Sequence, residues 1–177
     1  MAFRLPLSQV GLKRTIASLY MYAGVPQSYT FDPEWAGVDI YPGMVMALAG
    51  DGVVTLCDGT ATVSPLGFSA AFVAPSIGVD EVTTDPTREM GVWVGGSDAL
   101  FSILAPAFDT TQSWAVPSDG SEVLLVAGSG VDNMGKLCPV VDSDDSTSGY
   151  EVLALANVVA KLISVPSATE IIVAPIR

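Results

Sequence analysis

Asp142, Asp144 and Asp145 stand close enough in sequence to gather around Ca²⁺ with a loop carbonyl or two. The calcium pattern is incomplete. Thr147 occupies the sixth loop position, where an EF-hand needs Gly, and Leu153 the twelfth, where it needs a bidentate Glu. The segment therefore reads as an exposed, solvated acidic loop, and Asp80, Glu81, Asp85 and Glu89 read the same way. The chain has no histidine. That excludes Ser-His-Asp and Cys-His hydrolases in their usual form, together with every His-ligated metal site. Cys57 and Cys138 have no CxxC spacing and cannot build a structural zinc site without His. Each follows a leucine in an apolar run, which predicts buried free thiols, although spacing alone does not decide whether the two pair. Gly95-Gly96 can offer backbone N–H groups to an anion, but a β-turn is the simpler use. A glycosidase needs only two carboxylates. Among 19 acids nothing marks such a pair, and Trp35, Trp93 and Trp114 fall in three separate segments. The expectation is a protein that is not an enzyme and needs no cofactor or metal.

The elements that would have to hold any site are short strands joined by tight turns. From Pro42 to Phe72 apolar runs alternate with turn residues. Met44 to Leu48 leads to Ala49-Gly50-Asp51-Gly52, and Val53 to Leu56 runs back. An Asp-Gly pair between apolar runs is a strong hairpin signal, because Asp and Gly tolerate positive φ. Asp58-Gly59 offers a second turn. Val92 to Val94, Gly95 to Asp98 and Leu100 to Leu104 predict another hairpin, and 106–119 a loop. Strands are expected over 123–126, 136–141 and 170–174, with a turn at Pro166-Ser167-Ala168. Over 151–165 the apolar residues fit either a helix or two strands broken near Ala156-Asn157; β-branched Val158, Val159, Ile163 and Val165 favour strands. The pattern from Ile40 onward predicts an all-β body.

Residues 1–35 differ from the rest. Leu12, Ile16, Leu19 and Tyr20 are spaced for a short helix over 12–22, ended by Gly24 and Pro26. Tyr29, Phe31 and Trp35 follow at loop spacing and pack either on their own body or into a neighbour. The net charge is −12, unevenly placed. Residues 1–31 carry Arg4, Lys13 and Arg14 and no acid, whereas the remainder carries all 19 acids and 4 bases. A basic arm on an acidic body suits docking on acidic protein surface, with a solvated tail as the plain alternative. So acidic a body argues against nucleic-acid binding. Half the residues are hydrophobic, yet no run approaches the roughly 18 apolar residues of a membrane span, and none near the N-terminus suits a signal peptide. With mean hydropathy of +0.50, the surplus apolar surface points to protein–protein contacts and a homo-oligomer.

The order of features resembles capsid decoration (cement) proteins of tailed bacteriophages. The resemblance rests on Pro42-Gly43-Met44-Val45, the turn Gly50-Asp51-Gly52, Pro65-Leu66-Gly67-Phe68, Gly135-Lys136-Leu137 and Val165-Pro166-Ser167-Ala168-Thr169-Glu170. It spans about residues 40–177, and residues 1–39 match no motif of that group. It implies a virion protein on the outer capsid surface, made in the host cytoplasm. Its partners would be the major capsid protein and copies of itself, a trimer being favoured, with no nucleic acid and no membrane. It would stabilise the shell by clamping neighbouring capsid subunits. The alternative reading is a head- or tail-fibre or adhesin-type module that recognises a host receptor or glycan, with Phe108 and Trp114 as an exposed platform. The expected fold is all-β, a small β-barrel or β-sandwich-like (β-tulip-like) body over 36–177 with an extended N-terminal arm over 1–35. Arg4, Lys13, Arg14, Tyr20, Tyr22, Tyr29, Phe31 and Trp35 are the expected partner-binding residues of that arm.

Overall fold

Side chains on an extended chain alternate between two faces, so strand pairing decides which apolar residues meet. The computed structural model describes residues 12–17 (as backbone), 26–31, 38–49, 52–59, 64–73, 89–94, 99–140 and 158–176. Eleven strands and no helix occur among them: β1 (Leu12–Ala17), β2 (Gln27–Thr30), β3 (Val45–Leu48), β4 (Val54–Leu56), β5 (Ser64–Ser69), β6 (Glu89–Trp93), β7 (Ala99–Leu104), β8 (Leu124–Ala127), β9 (Leu137–Pro139), β10 (Val158–Ser167) and β11 (Glu170–Pro175). They form a six-stranded sheet in the order β1-β7-β11-β10-β8-β9 and a five-stranded sheet in the order β2-β6-β5-β3-β4. Every strand pairing is antiparallel. The fold is thus all-β and sandwich-like.

The register explains the core. Phe101 and Ile103 on β7 lie opposite Val173 and Ile171 on β11, and Val173 lies opposite Leu162 on β10. All five are buried and share one face of the six-stranded sheet. The five-stranded sheet meets them with aromatic rings. Phe68 of β5 and Trp93 of β6 pack against Phe101 at centroid separations of 5.3 and 6.1 Å. Burying each such side chain contributes about 1.5–3 kcal/mol. The five-stranded sheet is also rolled: Phe31, the residue after edge strand β2, makes a parallel bridge to Val54 on the opposite edge strand. The rolling stops at that bridge, short of a closed barrel. A further stitch joins the sheets where the loop between β8 and β9 enters the five-stranded one. Val45 donates its N–H to the Gly135 carbonyl (2.7 Å), and Gly135 donates to that of Cys57 (2.8 Å). Gly135 has φ +72, and a Cβ there would overlap the Leu56 side chain, so both conformation and space demand glycine.

Three sequence expectations need correction. Over Leu12–Ala17 the chain is strand β1, not a helix, because β7 offers an edge that pairs its backbone from Leu12↔Ile103 to Ala17↔Ala99. β6 and β7 do not pair as a hairpin, and Gly95 to Asp98 between them lie outside the described residues. β6 belongs to the five-stranded sheet and β7 to the six-stranded one, so the chain crosses between sheets there. The last turn is Ala168-Thr169, with β10 running through Pro166 and Ser167. Of the ambiguous 151–165, the described part from Val158 onward is one strand, and the strands over 123–126, 136–141 and 170–174 occur as β8, a shortened β9 and β11. The acidic loop with Asp142, Asp144 and Asp145 lies outside the described residues.

Candidate functional site

Asp109 is the one buried carboxylate among the described residues, and the only place where a charge is held inside the body. Its Oδ1 accepts the Thr111 backbone N–H (2.9 Å) and hydroxyl (2.7 Å), and its Oδ2 accepts the Gln112 amide (3.1 Å). Burial pushes the carboxyl pKa up, but these hydrogen bonds and the charge of Lys136 outweigh it and hold the group below its ordinary value. A carboxylate so saturated with donors is a poor base; it organises a loop. The same loop is pinned by Trp114, whose indole N–H donates to the Asp109 carbonyl (2.7 Å) and whose ring meets Phe108 edge-on at 5.1 Å. Phe108 is buried and Trp114 half-buried. The aromatic platform expected of a receptor-binding module is therefore turned into the body.

The thiols are equally quiet. Cys57 is buried and Cys138 half-buried, and neither is paired. Burial, and then the nearby Asp109 charge, push the Cys138 thiol up to about 11, so it stays protonated at neutral pH. Burial also raises Cys57. Among the described residues no three acids or cysteines gather as metal ligands.

What remains among the described residues is surface, with a cleft in it. A cleft of about 440 Å³ opens where the approach to β3, the end of β7 and the β8–β9 loop meet. Val38, Met44, Pro106 and Val131 give it apolar walls, and Asp39, Asp132 and Lys136 reach it with charge. Tyr41 stands between, its hydroxyl donating to Asp39 Oδ2 (3.2 Å) and its ring packed on Phe72 at 5.2 Å. Val131 is 66% exposed and Phe72 41%, so the cleft has apolar shoulders open to solvent. The residues that build it come from segments about 90 positions apart, and no sequence spacing announced them.

The expected arm residues divide. Lys13 and Arg14 fall on edge strand β1, Arg14 opposite Ser102. Tyr29 lies on β2, half-buried against the core, with its hydroxyl on Gln27 Oε1 (2.8 Å). Phe31 is 4% exposed and belongs to the body's own core. Arg4, Tyr20, Tyr22 and Trp35 lie outside the described residues. The described parts of 1–35 are thus paired into both sheets rather than gathered at one site.

A family model described as phage cement protein matches residues 2–177. No curated protein and no solved structure matches the chain.

Proposed function

We propose, from the premise that the chain belongs to the phage cement protein family, that it binds the outer face of the capsid and clamps neighbouring major capsid subunits. Membership alone gives a structural, capsid-associated role in the virion. The single observation that carries the reading further is that the match runs over residues 2–177, arm and body together. The structure supports it. Among the described residues the buried carboxylate is saturated and both thiols are protonated, as suits a protein that is not an enzyme. Leu48, Phe72, Val94, Val116, Val131, Ile163 and Ile176 stay exposed on the isolated chain, apolar surface available to a lattice or to further copies. Weak contacts repeated over a lattice add through effective concentration. The arm residues Arg4, Lys13, Arg14, Tyr20, Tyr22, Tyr29 and Trp35 are proposed to contribute to attachment, and a homo-oligomer, with a trimer favoured, to set its valency. Synthesis would be in the host cytoplasm.

The test is depletion from solution. The purified protein, incubated with expanded empty capsids, should leave the supernatant and raise the temperature at which the shells break. Retention by host cells and not by capsids would overturn the reading in favour of a fibre or adhesin module. That alternative has no exposed aromatic platform at Phe108 and Trp114 to rest on.

A further inference from the structure

We infer that the outward face of the six-stranded sheet is where a second copy of this chain packs, an inference that rests on the homo-oligomer reading above and names its contact. The register fixes the face. Ile172 lies opposite Ser102 and Glu170 opposite Leu104 across β11 and β7. Ser164 lies opposite Ile172 across β10 and β11, and Lys161 opposite Leu124 across β10 and β8. Opposed residues share a face, and these alternate with the buried Phe101, Ile103 and Val173 that turn to the five-stranded sheet. The outward side of an antiparallel sheet is ordinarily polar. That holds on β2 and β6, where Ser28, Thr30 and Glu89 are exposed and the Ser28 hydroxyl donates to Glu89 Oε2 (2.8 Å). It fails on the six-stranded sheet. Leu100, Leu104, Leu124, Val126 and Ile172 hold outward positions there, and each keeps part of its surface open to solvent.

Charge and area point to a second copy as the occupant. Two chains of net charge −12 repel each other over most of their surface. On this face the charges are already engaged. Lys161 Nζ donates to Glu122 Oε1 (2.9 Å), and Glu170 accepts the Ser102 hydroxyl. Two copies that meet here bring apolar surface together and set no uncompensated acid against another. The size is also right. Six strands spaced by about 4.8 Å, each about 20 Å long, make a face of roughly 600 Å². Two such faces bury about 1,200 Å², the lower bound of a stable interface. Sheets pack face to face at about 10 Å, which is how the chain's own two sheets already hold each other.

Sedimentation equilibrium of the full-length protein tests this without any capsid. Wild type should exceed the monomer mass at micromolar concentration. Ile172→Lys and Leu124→Lys should each weaken self-association by about thirtyfold, because the contact would have to desolvate an ammonium group. Thr30→Lys, on the outward side of the other sheet, should leave it unchanged. Ile172→Thr keeps a β-branched residue in the strand and should weaken association by about tenfold; it decides the case in which a lysine variant fails to fold. A monomeric wild type overturns the homo-oligomer reading and this contact with it. An oligomer that Ile172→Lys, Leu124→Lys and Ile172→Thr all leave intact overturns this contact alone. If those intact oligomers no longer bind expanded empty capsids, the face belongs to the capsid and not to a second copy.

Discussion

Two stretches of this chain look alike in sequence and end differently. Ala49 to Gly52 and Gly95 to Asp98 are both Gly- and Asp-containing breaks between apolar runs. The first closes a hairpin. Met46, Ala47 and Leu48 lie opposite Leu56, Thr55 and Val54, Ala49 donates to the Val53 carbonyl (2.9 Å), and Gly52 adopts φ +84. The second hands the chain from one sheet to the other. A turn sequence specifies that the chain bends; the partners waiting on either side decide where it goes. β3 is flanked by β4 and β5, the two strands that follow it in the chain. β7 is flanked instead by β1 and β11, strands from opposite ends of the chain. The hairpin is local and the crossing is long-range, and substitutions should report that difference in size.

The largest effect belongs to the far side of the crossing. Phe101 is buried on β7 and touches Phe68 and Trp93 of the other sheet. Phe101→Ala should cost about 3–5 kcal/mol, because the cavity opens between two sheets that cannot easily close on it. Urea unfolding measures it; a loss below about 1 kcal/mol would mean that the sheets are not held together there. Next comes the stitch at Gly135. Gly135→Ala adds overlap with Leu56 to the backbone cost of positive φ, about 2–4 kcal/mol together. Leu56→Ala should relieve part of that loss, giving a coupling of about 1 kcal/mol or more in a double-mutant cycle.

The same contrast marks what was legible in the sequence. Turn chemistry and β-branched runs act between neighbours, so the all-β class, the β3–β4 hairpin and the family resemblance were readable. Strand β1 was not. Leu12 and Ile16 satisfy helical spacing, but an available edge on β7 outweighs a marginal helix of that length. Phe31 stands at loop spacing yet is buried in the core and makes a single bridge to Val54. The cleft is illegible for the same reason, since Asp39 and Asp132 meet only once both sheets have formed. Asp109 left a faint trace: Asp-Thr-Thr is the sequence of a side-chain-capped turn, and its carboxylate does bond the Thr111 N–H two residues on.

That turn gives an intermediate effect with a pH signature. The folded-state pKa of Asp109 lies below the ordinary 3.8, so the unfolded chain binds the proton more readily. The stabilisation is fully present above the ordinary value and is lost as pH falls through the depressed folded one. Asp109→Asn should cost about 1–2 kcal/mol near neutrality by weakening the charged hydrogen bonds. It should also flatten the stability–pH curve below about pH 4, measured as urea midpoints from pH 3 to 7. Parallel curves for variant and wild type would show that the carboxylate titrates alike in both states.

The smallest effect is the one that calibrates the rest. Gly52 and Gly135 both hold positive φ, at +84 and +72. A Cβ on Gly52 meets nothing within 4 Å, whereas on Gly135 it meets Leu56. Gly52→Ala therefore isolates the backbone cost of a left-handed conformation, about 1 kcal/mol, with no packing change. The turn is local, so the loss should appear as a shift in the urea midpoint at constant slope, with both sheets still unfolding together. Subtracting it from the Gly135→Ala loss leaves the energy of packing one sheet's loop into the other. If the two glycine substitutions cost the same, the β8–β9 loop does not press on Leu56.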